Sequence, residues 1–184
     1  MLNFFSTYAD SKDLIDASGV ERLCTDMGVD PCDPQWLAVA FYCGASAMGE
    51  FTREEFTRGM TALGVDSPAS LHEKFPALRA EMRANKHIYY FSFDYGCDPG
   101  CRGLGYEVAI SLWPMFFSDW PLLEQWTQFV EVKCRPKNHT VSKDSWRMLW
   151  DLVHNVAADL GNFDPEGAWP VMIDEFVETV RRGH

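Results

Sequence analysis

The segment GASAMGEFTREEF, residues 44–56, has the spacing of a calcium-binding loop and its exit helix but lacks most of the ligands. With Phe51 at the hydrophobic eighth position of a 12-residue loop, Gly49 falls at the sixth position and Glu55 at the twelfth, as calcium requires. The first, third and fifth positions, which should supply ligand oxygens, are Gly44, Ser46 and Met48. Calcium takes about six to eight oxygens, so the segment predicts the helix–loop–helix shape without the metal.

Two further segments align less well with such a loop. In YADSKDLIDASG, placing Ile15 at the eighth position puts Tyr8 first and Gly19 at the twelfth, where a carboxylate is needed. In DPEGAWPVMIDE, Asp164 is first and Glu175 is twelfth, but the sixth-position glycine is missing. We therefore expect no bound metal. A calcium-sensor relative remains an alternative that a calcium titration would decide.

The six cysteines could belong to a metal site or a nucleophilic site. Cys97 and Cys101 have a Cys-x₃-Cys spacing, but zinc needs four ligands and no second pair of suitable spacing follows. No nucleophile signature surrounds any cysteine, and nothing marks a general base or an oxyanion site. We expect reduced, half-buried thiols, no catalytic residue and no cofactor. A thiol enzyme or a zinc protein remains an alternative, which metal analysis and cysteine substitutions would decide.

The charge of the chain bears on its partners. Among 184 residues, 27 acidic and 16 basic side chains give a formal charge of −11, which argues against a nucleic-acid partner and favours a basic protein surface. No run of about 18 apolar residues is present, so no membrane partner is expected. The start, MLNFFSTYADSKD, lacks the basic flank and apolar core of a secretory signal. We expect the protein in the nucleus and cytoplasm.

Helical periodicity places these segments on helices along nearly the whole chain. In the first half, capping boxes are predicted for Ser18 with Glu21 and for Thr52 with Glu55. Ser67, followed by proline, opens another helix. These signals predict two packed helix–loop–helix units in the first ~80 residues.

The second half follows the same period. The aromatic run at 88–96 is interpreted as the start of a helix rather than a strand, and residues 104–115 place one apolar face on a helix. The segment SKDSWRMLWDLVHNVAADL predicts a helix that continues to Leu160, and the final helix should begin at Pro170. We predict an all-α protein with a single domain, 1–184, comprising an N-terminal lobe of about 1–84 and a C-terminal lobe of about 85–184.

An excess of carboxylates marks residues 144–178. Asp144 should lie in the first turn of its helix, where a negative charge complements the helix dipole, and Asp174 lies one turn into the final helix. One interpretation is a solvated face with favourable helix electrostatics. The other is an acidic recognition patch in which Ala168 and Trp169 supply an apolar floor.

Three segments resemble the defective-in-cullin-neddylation (Dcn-like) family through its potentiating-neddylation (PONY) domain. They are MGEFTREEFTRGMTALGVDS, VSKDSWRMLWD and NFDPEGAWPVMIDEFVE, and the similarity runs from about residue 8 to residue 181. The resemblance implies an all-α fold with an EF-hand-like N-terminal lobe that lacks calcium ligands. It also implies a non-catalytic scaffold, a co-ligase that holds a cullin and the Nedd/Rub-conjugating enzyme to promote modifier transfer to a cullin lysine. The alternative is an EF-hand-like binding module of another pathway.

The resemblance implies two binding sites. The site for the C-terminal winged-helix region of the cullin maps to Asp144, Ala168 and Asp174. A second site takes the acetylated N-terminal Met of the conjugating enzyme, and the RING subunit is an indirect partner. The matching pocket positions are Val20, Leu37, Ala40, Met48 and Phe51, with Tyr95, Leu104, Val108, Leu112 and Met115. The alternative is that these apolar positions simply form the core.

Overall fold

Helices account for most of the chain in the computed structural model, which describes residues 2–183 and, of Leu2, only the backbone. The short strands within this range form two separate two-stranded sheets. The predicted all-α class is confirmed. Contacts divide the chain into two units, one ending at Tyr95 and the other beginning at Gly96.

The first unit contains two helix–strand–helix segments followed by two more helices. They are α1 (Leu2–Tyr8), β1 (Leu14–Ile15), α2 (Ala17–Met27), α3 (Gln35–Cys43), β2 (Phe51–Thr52), α4 (Arg53–Leu63), α5 (Pro68–Ala84) and α6 (Lys86–Gly96). The last residue of α6 already belongs to the second unit. Helix α6 confirms the helical interpretation of the aromatic run.

The strands β1 and β2 join the two helix–strand–helix segments. They pair antiparallel, with Ile15 opposite Phe51 and Leu14 opposite Thr52. Ile15 and Phe51 are the two residues that the sequence alignment placed at the eighth loop position, and both side chains are buried. The predicted pair of helix–loop–helix units is therefore confirmed.

The predicted helix caps are confirmed at two positions and wrong at a third. Thr52 and Glu55 form a reciprocal capping box at the start of α4, and Ser67 caps α5. The box predicted for Ser18 is wrong, because Asp16 caps α2 and accepts hydrogen bonds from the amides of Ser18 and Gly19. The Ser18 hydroxyl instead donates to Asp10 at 3.0 Å. The capping-box pattern spans only four residues, so it could not reveal the hydrogen bond between Ser18 and Asp10.

The core of the first unit lies where α3 packs against α4 and α5 and where α2 packs against α5. Leu23, Phe56 and Met60 are completely buried there. Burial of each such side chain stabilises the fold by about 1.5–3 kcal/mol. Helices α3 and α4 approach closely at Gly59, where a Cβ atom would lie 2.2 Å from the Cys43 sulfur.

The second unit contains a two-stranded sheet and four helices in its described part. They are β3 (Gly103–Gly105), α7 (Tyr106–Phe117), α8 (Leu123–Cys134), β4 (Thr140–Ser142), α9 (Lys143–Asn155) and α10 (Val171–Arg182), and a 3₁₀ turn (Arg135–Lys137) follows α8. Leu104 was expected on the helical face that carries Val108. That expectation is wrong, because Leu104 lies in β3 opposite Val141 of β4, ahead of the helix.

Three tryptophans form the centre of the second unit. Trp113 stacks on Trp146 with their ring centroids 5.5 Å apart, and it meets Trp126 edge-on at 5.3 Å. Phe176 of α10 meets Trp126 edge-on at 5.1 Å. All four side chains are buried, so they tie α7, α8, α9 and α10 to one another.

Helix α9 ends at Asn155, five residues before the end that its apolar period predicts. The Asn162 side chain accepts a hydrogen bond from the Ala157 amide at 2.7 Å and donates one to the Asn155 carbonyl at 3.0 Å. These bonds close a turn, and Leu160 is buried with a φ of +56°. The periodicity prediction was wrong here because a buried Leu160 does not require a helix.

Candidate protein-binding surfaces

The first helix–strand–helix loop holds a guanidinium group among the positions that would ligate calcium. Arg22 of α2 lies 2.8 Å from the Asp10 carboxylate and donates to the Tyr8 carbonyl at 2.9 Å. Tyr8 and Asp10 occupy the first and third positions of the aligned loop. A permanent cation from the chain itself thus satisfies these oxygens, which the sequence pattern did not reveal.

The same loop leaves no room for the carboxylate that calcium needs at the twelfth position. Gly19 occupies that position, and a Cβ atom there would lie 2.2 Å from the Tyr8 carbonyl oxygen and 2.4 Å from Asp10 Oδ2. Distances below about 3 Å are not compatible with a side chain at this backbone position. Atoms of Tyr8 and Asp10 therefore occupy the space that a side chain at position 19 would need.

In the second loop the twelfth-position carboxylate binds the backbone instead of a metal. Glu55 accepts hydrogen bonds from the Ser46 amide at 2.9 Å and from the Thr52 amide at 2.8 Å. Burial alone would raise the pKa of Glu55, but the hydrogen bonds from Thr52 and Ser46 outweigh it and hold the pKa below the ordinary value. Arg58 donates to the Cys43 carbonyl at 3.4 Å and supports the entry to this loop.

We expect millimolar calcium to leave the melting temperature and the amide NMR spectrum of the protein unchanged. The loop oxygens already have partners in Arg22 and in the backbone amides of Ser46 and Thr52. Magnesium at the same concentration is the control for nonspecific ionic effects. A saturable shift that calcium causes and magnesium does not would contradict this expectation.

The first unit should lose stability in acid. The pKa of Asp10 lies at about 2, because hydrogen bonds from Arg22 and Ser18 outweigh the effect of burial, and the pKa of Glu55 is also lowered. The unfolded chain therefore binds more protons as the pH falls, so this stabilisation is complete above about pH 5 and is lost progressively towards about pH 2. Urea unfolding at pH 7, 4 and 3 would measure it. Glu55→Gln should unfold more easily at pH 7 and show a weaker acid dependence, and an unchanged acid dependence would contradict this account.

The pocket positions predicted in the first unit differ in exposure. Val20, Ala40 and Phe51 are buried in the core, whereas Leu37 and Tyr95 are half-buried and Met48 is 64% exposed. The Tyr95 hydroxyl accepts a hydrogen bond from the Gly49 amide at 3.3 Å, so α6 supports the second loop directly.

Two half-buried aromatic residues extend this apolar surface and were missed in the sequence. Phe91 stacks on Tyr95 with ring centroids 5.0 Å apart, and Phe41 meets Phe91 edge-on at 5.7 Å. The spacing of Phe91 and Tyr95, four residues apart on α6, was the signal that could have identified Phe91, and it carries no information on Phe41 of α3.

In the second unit, three of the predicted pocket residues surround Gly96. A Cβ atom on Gly96 would lie 3.1 Å from Leu104 Cδ1, 3.4 Å from Val108 Cγ1 and 3.7 Å from Leu112 Cδ1. Leu104 is completely buried, Leu112 is half-buried and Val108 is 37% exposed. Met115, half-buried, lies one turn further along α7. The structure thus brings Leu104, Val108 and Leu112 together around a residue without a side chain.

The residues predicted for the cullin site are all accessible to solvent. Asp144 is exposed in the first turn of α9, Ala168 is exposed in the connection between α9 and α10, and Asp174 is half-exposed in the first turn of α10. Within residues 2–183, neither Asp144 nor Asp174 forms a salt bridge. Each carboxylate lies at a helix N-terminus, which stabilises it without a cationic partner.

The buried thiols are poorly suited to nucleophilic catalysis. Burial raises the pKa of Cys24 to about 11 and that of Cys43 to about 12, and burial also raises the pKa of Cys134. A catalytic cysteine needs a lowered pKa. None of the six cysteines forms a disulfide within residues 2–183.

Residues 2–183 contain no group of three or more His, Cys, Asp or Glu side chains placed to hold a metal ion. No helix in this range combines the length and apolar character needed to cross a membrane.

The chain is similar in sequence to known proteins over almost its whole length. Residues 70–179 match the family model described as Cullin binding. The chain is 36% identical over 181 residues to DCN1-like protein 5 of Homo sapiens, covering 96% of this chain and 75% of that protein. It is 34% identical over 179 residues to DCN1-like protein 4 of Drosophila melanogaster, with coverages of 95% and 71%. It is 30% identical over 204 residues to Defective in cullin neddylation protein 1 of Caenorhabditis elegans, with coverages of 96% and 69%.

Proposed function

This chain belongs to the DCN1-like family, and from that premise we propose that it is a scaffold-type co-ligase of cullin neddylation. In this role it binds a cullin and the Nedd/Rub-conjugating enzyme at the same time. Holding both partners raises the effective concentration of the loaded modifier at the cullin lysine and orients the attack. The RING subunit acts beside it without direct contact.

The observation that carries this proposal is the accessibility of the residues assigned to the cullin site. Asp144, Ala168 and Asp174 lie within the residues that match the cullin-binding family model, and all three reach solvent. The two carboxylates lack ion pairs within residues 2–183, so they are available to basic side chains of a partner. The formal charge of −11 favours the same kind of partner.

Partly exposed apolar residues in each unit support the proposal that the conjugating enzyme binds through its acetylated N-terminal Met. In the first unit, Leu37, Met48 and Tyr95 offer partly exposed apolar surface. In the second unit, Leu112 and Val108 do the same beside Gly96. An acetylated Met has no charge, so such surfaces accept it at little desolvation cost.

We further propose that the protein contributes no catalytic residue of its own. The raised pKa values of Cys24, Cys43 and Cys134 argue against a thiolate nucleophile at these positions. Its contribution is then the alignment of two partners, and the reacting thioester belongs to the conjugating enzyme.

A reconstituted transfer assay tests the function. The conjugating enzyme, loaded with modifier, is mixed with a cullin–RING complex, and single-turnover transfer to the cullin is followed with and without this protein. We expect acceleration, and we expect it to persist when Cys32, Cys97 and Cys101 are all changed to serine. No acceleration with any cullin of a panel would contradict the co-ligase role, and loss in the serine variant would indicate thiol chemistry.

A further inference from the structure

Val171 is an apolar residue that the second unit leaves uncovered. It is 70% exposed in the first turn of α10, three residues after Ala168 and three before Asp174. Residues three and four apart on a helix lie on one face, so Val171 shares its face with Asp174 and Glu175. A single exposed valine is common on a protein surface. This one is notable because it lies beside an ordered turn and several carboxylates.

The turn that carries Ala168 is shaped by its own hydrogen bonds. The Gly167 amide donates to the Asp164 carbonyl at 3.2 Å, and the Trp169 amide donates to the Gly167 carbonyl at 2.8 Å. The second bond makes Ala168 the central residue of a three-residue turn. Trp169 Nε1 also donates to the Asp164 carbonyl at 3.0 Å, which closes the turn through a side chain.

The stacked rings of Phe163 and Trp169 support this turn. The Trp169 ring lies against Phe163 with centroids 5.2 Å apart and an interplanar angle of 26°. The Arg181 guanidinium of α10 lies 5.6 Å from the Phe163 centroid and donates to the Leu160 carbonyl at 2.9 Å. The connection between α9 and α10 is therefore fixed to α10 itself. A surface that is already ordered loses little conformational entropy when a partner binds.

The charge around this surface defines the partner. Residues 157–175 contain five carboxylates and no Lys, Arg or His, and one of the five, Glu175, already forms a salt bridge with Lys133 of α8. Asp164 and Glu166 are exposed in the same turn as Ala168. The two arginines at the end of α10 already have partners within the protein. Arg182 forms a salt bridge with Glu178 at 2.8 Å, and Arg181 contacts the Phe163 ring. The complement is a basic protein surface that presents an apolar side chain at its centre.

We propose that Val171 and Ala168 together form the apolar platform on which the cullin packs. This inference rests on the proposed function and adds a residue to its cullin site. Interfaces gain most of their affinity from a few well-packed apolar contacts at the centre, while surrounding charges steer association. Val171 supplies the first kind of contact, and Asp144 and Asp174 supply the second.

The test uses Val171→Ala in the full chain and measures binding to the C-terminal winged-helix region of each cullin in a panel. We expect the affinity to fall roughly fivefold to tenfold through faster dissociation, because two methyl groups leave the contact. The salt dependence of the association rate should stay unchanged, in contrast to Asp144→Ala. Alanine has a higher helix propensity than valine, so a thermal melt should show no loss of stability.

Val132→Ala is the matched control. Val132 is 77% exposed on α8 of the same unit, where it lines a groove of about 310 Å³ with Phe129 and Phe176, and its truncation should leave cullin binding unchanged. If Val171→Ala binds like the unaltered protein while Ala168→Arg does not bind, the platform is wrong and the proposed function stands. If Val132→Ala weakens binding and Val171→Ala does not, the cullin packs at the α8–α10 groove instead. If the unaltered protein binds no cullin, the proposed function and this inference fail together.

Discussion

Ala168→Arg is expected to weaken cullin binding by roughly a hundredfold or more, and Asp144→Ala by at least roughly tenfold. Arginine at position 168 adds a long cationic side chain to the centre of an acidic turn that should meet a basic partner. It therefore introduces both a steric clash and like-charge repulsion. Loss of Asp144 removes one member of a charge pair, which typically costs about 2–5 kcal/mol when the pair is desolvated.

Neither substitution should unfold the protein. Ala168 is exposed, and the turn is held by bonds from Trp169 and Gly167 rather than by the alanine side chain. Asp144 lies in the first turn of α9, where its loss costs about 0.3–1 kcal/mol. Cullin affinity should therefore be measured beside a circular-dichroism melt of each variant.

Ala62→Arg provides a matched control for the added charge. Ala62 is exposed near the end of α4 in the first unit, where a cation also suits the helix dipole. This variant should bind cullin as the unaltered protein does, and added salt should slow association for both. Unchanged affinity in a folded Ala168→Arg protein would mean that the cullin binds elsewhere or that this chain has no cullin partner.

The second large effect concerns the conjugating enzyme. A peptide with its N-terminal acetylated Met should bind roughly thirtyfold or more tightly than the same peptide with a free amine. Burial of an unpaired ammonium group costs several kcal/mol, whereas the acetylated amide has no charge to desolvate. Isothermal titration calorimetry of both peptides measures the difference, and equal affinities would contradict the assignment of an acetyl-Met site.

Leu112→Asp tests whether that site includes Leu112 of the second unit. Leu112 is half-buried beside Gly96, so a carboxylate there should abolish peptide binding while cullin binding remains. Ser111→Asp adds the same charge at the exposed neighbour on α7 and should bind peptide normally. Equal peptide affinity of a folded Leu112→Asp protein and the control would remove Leu112 from the site.

Local interactions explain why most helices could be predicted from the sequence. The Thr52–Glu55 capping box joins residues three apart, and the apolar period of α9 repeats within a few turns. The resemblance to the Dcn-like family was also carried by short continuous motifs, and the family match confirms it. The expectation that no calcium binds rests on Gly44, Ser46 and Met48, because ligand type is a property of single residues, and it stays a prediction until the calcium titration.

Only the tertiary structure shows which side chains bind the polar backbone groups of the loops and of the helix ends. Arg22 reaches the Tyr8 carbonyl across 14 residues of sequence, and the Asn162 side chain ends α9 by binding backbone groups outside the helical period. It also decided that Phe51 is buried against β1 while Val171 stays uncovered, although both are apolar residues at or beside a helix start. Such outcomes depend on contacts that lie outside the regular period of a helix or strand, and several of them join distant segments. Amino-acid type and local spacing cannot determine them, because the same apolar residue is core or surface according to what packs on it.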